Sequence, residues 1–63
     1  MKTVLDVLKE RIAEDIETSE RHLASGKCDD YAAYKEVVGI IRGLRAATNL
    51  LVDLERNLEN DDD

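Results

Sequence analysis

One histidine, one cysteine, a short run of glutamates and one concentration of cations are the groups with chemistry to offer in this chain. His22 has Ser19 three residues before it, so the Glu-x-x-His pairing with which helical bundles hold paired metal ions is missing. It reads as an exposed histidine near a helix C-terminus, where positive charge is favoured. Cys28 is the only cysteine, so neither an intrachain disulfide nor a thiolate metal cluster can form within one chain. No base adjoins it in sequence, and its neighbours Asp29 and Asp30 disfavour a thiolate, although a helix N-terminus acts the other way. Glu10, Glu14 and Glu17 run along one side of a helical stretch. Acid–base work would need a pocket that sets their protonation apart, and a thin helical chain offers little concavity. No enzyme, catalytic residue, metal site or cofactor is therefore expected.

The cations are Lys35, Arg42, Arg45 and Arg56. Lys35, Arg42 and Arg45 are candidates to meet a partner, either its phosphates or its acidic side chains. The net charge of −6 argues against nucleic acid and against an anionic membrane surface. Gly39 and Gly43 lie within a helical pattern, so they do not form a phosphate-binding loop after a strand. The first half of the chain is rich in carboxylates, so complementarity between subunits is the simpler use for these cations. No apolar run is long enough to span a membrane and no leader-like segment opens the chain, so a cytoplasmic location is expected.

The elements that position these groups read as two helices. Phe, Trp and Pro are absent, and 43% of residues are hydrophobic, mostly Leu, Ile, Val and Ala. That is a helical composition. Thr3 with Asp6 resembles a capping box, and helix 1 is expected from about 3 to 24. Leu5, Leu8, Ile12, Ile16 and Leu23 recur at helical spacing and form its apolar seam. Arg11 with Asp15 and Glu17 with Arg21 are candidate ion pairs on its wet side. Gly26 suits a left-handed C-cap and Asp29 or Asp30 an N-cap, which makes 25–30 a turn between antiparallel neighbours. Helix 2 is expected from about 31 to 58. Its seam is Tyr34, Val37, Ile41, Leu44, Thr48, Leu51, Glu55 and Leu58, a heptad-like alternation of threes and fours reminiscent of a coiled coil. Tyr34 is expected in the core with its hydroxyl at the rim. The acidic end, 59–63, opposes the helix dipole and is expected to fray.

Two glycines inside helix 2 cost about 0.5–1 kcal/mol each relative to alanine. Ala32, Gly39, Gly43, Ala46 or Ala47, Leu50 and Leu54 make a second ridge, read as lying beside the main seam. Glycines four apart open one face of a helix so that another backbone can come close. The expected helix-crossing interface is Gly39, Gly43, Ala46, Ala47 and Leu50. Its partner is helix 1 of the same chain or a helix of another chain, unless the glycines have no packing purpose. Ile40, Val38 and Val52 widen the apolar surface beyond what one helix covers. The expected fold is all-α: an antiparallel two-helix hairpin forming a single domain over 1–63. A homodimer would close it into a four-helix bundle, the smallest arrangement that covers both seams.

The pattern of Tyr34, Gly39, Ile41, Arg42, Gly43 and Leu44 resembles helices in small accessory or virion-associated proteins of tailed bacteriophages, over roughly residues 31–54. The resemblance implies a helical, non-enzymatic protein of phage or prophage origin, located in the host cytoplasm or the virion. The expected function is that of a self-associating interaction or structural module. The alternative is a small acidic regulator or inhibitor that binds a basic surface of a host or viral protein.

Overall fold

A computed structural model of the chain describes residues 1–60. It contains two helices, α1 (Val4–Ala24) and α2 (Tyr31–Asn60), packed on one another, with no strand among the described residues. Each end of α1 has a local cause. Thr3 Oγ1 accepts the Asp6 N–H at 3.1 Å, and Asp6 Oδ2 accepts the Thr3 N–H at 3.1 Å. The box therefore satisfies two amides that a helix start leaves open. The Thr3 N–H also holds the Asp6 carboxyl below the ordinary carboxylate range. Its contribution to folding is present at neutral pH and is lost as pH falls through that lowered value. Thr3→Ala should cost about 1 kcal/mol, a fall in Tm of about 4–8 °C in a domain of this size. Thr3→Ser should retain most of it. Thermal melts followed by circular dichroism measure both.

The turn is equally local in origin. The Ser25 N–H donates to the Arg21 carbonyl at 2.9 Å, and the Gly26 N–H to the Leu23 carbonyl at 3.3 Å. Gly26 then takes φ +77°, the left-handed conformation that glycine adopts without steric cost. Asp30 Oδ1 accepts the Ala33 N–H at 2.8 Å and opens α2. At its other end α2 runs two residues beyond the expected limit. Glu59 and Asn60, expected in the frayed tail, are still helical. Residues 61–63 of that expected tail lie outside the described residues.

Among the described residues two ion pairs join the helices: Lys9 Nζ to Glu55 Oε1 at 2.7 Å, and Arg45 Nη2 to Glu20 Oε2 at 3.6 Å. They put Lys9 level with Glu55 and Glu20 level with Arg45. At an equal rise per residue, Val4 then falls level with the end of α2, and Ala24 only with Ile40. The first two turns of α2 thus project past the end of α1, flanked only by turn residues. This overhang corrects the expectation for Tyr34. It is 48% exposed rather than core, and it stacks on Tyr31 with ring centroids 6.4 Å apart.

The register also corrects the seam of α1. Leu8, expected within it, is 43% exposed. Apart from Asp6, which serves the cap, the half-buried positions are Leu5, Lys9, Ile12, Ile16, Ser19 and Leu23, a strict alternation of four and three. It matches the Val37, Ile41, Leu44, Thr48, Leu51 and Glu55 alternation on α2. Lys9 occupies the slot because Glu55 faces it. Leu58, the last expected seam residue of α2, is likewise exposed.

What this packing covers is small. Ile41 is the one buried hydrophobic residue among the described residues, at 7% exposure. The chain is 52 Å long and 12 Å thick, with a radius of gyration of 15.1 Å. A compact domain of this length would have about 10.6 Å. The accessible surface is 5152 Å², against about 4,100 Å² for a compact monomer of this mass.

Candidate docking face of α2

Gly39 follows Val37 by two residues, about 200° of helix rotation. The ridge of Gly39, Gly43, Ala46 and Leu50 therefore lies across α2 from α1, not beside the main seam. A Cβ built on Gly39 or on Gly43 meets nothing within 4 Å. The close crossing with α1, one of the open possibilities, is thus ruled out within the chain. Ala32, Ala46, Ile40, Leu50 and Leu54 are exposed around the glycines, and Ala47 is half-buried where the face turns toward α1. Leu50 is the most prominent of them, at 70% exposure.

The surrounding charges are already partly committed. Arg45, expected to meet a partner, is paired with Glu20 of its own chain. The Lys35 ammonium sits 5.3 Å from the centre of the Tyr31 ring, a cation–π contact at an exposed site. Arg42 is exposed and makes no salt bridge among the described residues. Along α1, Glu17 pairs with Arg21 at 3.4 Å, and Lys2 reaches Glu10 at 2.9 Å. The expected Arg11–Asp15 pair does not close.

Periodicity alone missed Lys9 and Glu20. Lys9 is the more informative. The Glu55 carboxylate holds its ammonium above the ordinary lysine value. Glu55 Oε1 is shut off from water and accepts no hydrogen bond of good geometry, so this nearby charge is its compensation. The pair sits in the seam between the helices, where it holds Lys9 level with Glu55. Its signal in sequence was the strict four–three spacing through Lys9, set against a glutamate that interrupts the other seam.

His22 is exposed and Cys28 is a half-buried free thiol. Among the described residues no group of three or more His, Cys, Asp and Glu comes together as a metal site would require. A shallow groove lined by Lys9, Val52, Glu55, Arg56 and Glu59 follows the helix seam. Two of its charges, Lys9 and Glu55, are the pair that joins the helices. No helix among the described residues is long and apolar enough to cross a membrane. Compared with known proteins, the chain matches no family model, no curated protein and no solved structure.

Proposed function

We propose that this chain is a self-associating, non-enzymatic helical module. Its role would be structural or in assembly, as in the small accessory proteins of tailed phages that residues 31–54 resemble. One observation carries the reading. The hairpin leaves a second apolar face on α2, opposite its core, with Leu50 at 70% exposure and open backbone at Gly39 and Gly43. Its surface excess of roughly 1,000 Å² over a compact monomer is of the order that each partner buries in a stable complex, about 800 Å². Apolar association of this kind would supply stability that so thin a core lacks.

Sedimentation equilibrium over a wide concentration range tests the proposal. A discrete oligomer is expected, with an association constant that changes little between low and high salt, because screening acts on charges and not on apolar contact. A monomer at every concentration would refute it. Salt-sensitive binding to a basic protein by that monomer would point instead to the acidic regulator. The net charge of −6 is what favours this second reading.

A further inference from the structure

The outer face of α2 is self-complementary about a single point. Gly39 and Leu50 lie on that face about three turns apart, and Gly43 and Ala46 lie between them. Both pairs are centred between Leu44 and Arg45. Lys35 and Asp53 are about five full turns apart, so they share one edge of the face, and their midpoint is Leu44. Both are exposed, and neither makes a salt bridge within the chain among the described residues.

From this we infer that the partner is a second copy of the chain, seated antiparallel on α2 about a two-fold axis level with Leu44. The inference rests on the self-association reading above. One axis satisfies three kinds of complementarity at once. Leu50 projects over the gap at the partner's Gly39. Gly43 meets the partner's Ala46, where two small residues let the backbones come close. Lys35 faces the partner's Asp53 at the rim. Two-fold symmetry makes each of these contacts twice.

A parallel pairing would set Leu50 against the partner's Leu50 with no gap to receive it. It would also leave Lys35 about five turns along the axis from the partner's Asp53, so that pair could not form. An unrelated partner has no reason to match three separate pairs about one point. Glu36 does not spoil the arrangement. It stands about 100° round the helix from Asp53, on the other edge of the face.

A charge-swap cycle read by sedimentation equilibrium tests the geometry. Lys35→Asp and Asp53→Lys should each weaken the dimer about tenfold, since each sets like charges opposite one another twice per interface. The double variant Lys35→Asp/Asp53→Lys should return to within about threefold of the parent, because it restores both pairs in reverse. A parent oligomer with single variants that have no effect would overturn this arrangement and leave self-association standing. So would a double variant no tighter than the singles. A parent chain that stays monomeric would overturn both. Circular dichroism should show the same helix content in all four proteins, since both positions are exposed.

Discussion

Ile41→Ala should abolish the folded hairpin at room temperature, the largest effect expected of any conservative change in this chain. Ile41 is the one buried hydrophobic residue among those described. In the register set by the Lys9–Glu55 and Glu20–Arg45 pairs it lies level with Leu23, where α1 ends and the turn begins. Truncating a buried isoleucine to alanine costs about 2–5 kcal/mol. A single core of this size supplies about 3–5 kcal/mol in total. The two ranges overlap, so the variant has little or no folding free energy left. Loss of the helical circular dichroism signal at 25 °C is the expected result, and a melting temperature within a few degrees of the parent would show that the core lies elsewhere. Leu50→Ala is the matched control. It removes a side chain of the same class from a position 70% exposed, so dilute protein should keep its helix content.

The contrast between Ile41 and Leu8 marks how far the sequence was legible. Signals that act over three or four residues read directly: the Thr3–Asp6 box, the left-handed glycine at Gly26, and an aspartate cap at Asp29 or Asp30, of which Asp30 serves. Leu8 misled because hydrophobicity is judged one helix at a time. The slot belongs to Lys9, and only Glu55, forty-six residues away, explains why a cation sits there. The overhang of α2 was hidden for a similar reason. It depends on the path of the turn through 25–30, and periodicity carries no information about that path. Tyr34 has seam spacing but no helix opposite it, so it is exposed. The placement of the glycine ridge is a different case. A fixed rotation per residue puts Gly39 across from Val37, so its position opposite the core follows from counting. Which backbone it receives does not follow from counting within one chain. Among the candidate charges, Arg45 looked as free as Arg42 until Glu20 was placed beside it.

Gly43→Leu should move the hairpin and its self-association in opposite directions. Within the chain, a Cβ at Gly43 meets nothing within 4 Å. The substitution therefore crowds nothing in the monomer, and replacing a mid-helix glycine stabilises the helix by about 0.5–1 kcal/mol. In the proposed dimer the same side chain would stand where two backbones approach, and overpacking costs about 1–3 kcal/mol per site. Two-fold symmetry applies that cost twice, so association should weaken by at least about thirtyfold. Gly39→Leu should act in the same direction by filling the gap that receives Leu50. Gly43→Ala, which adds only the Cβ, should keep the gain in helix stability and lose much less association. Urea melts of dilute protein report the first quantity and sedimentation equilibrium the second. Equal dissociation constants for the parent and both leucine variants would mean that no helix lies close on this face. A loss of stability in dilute Gly43→Leu would mean that the glycines pack within the chain after all. The opposed signs are the discriminating result, because an exposed glycine without packing purpose gives the first change and not the second.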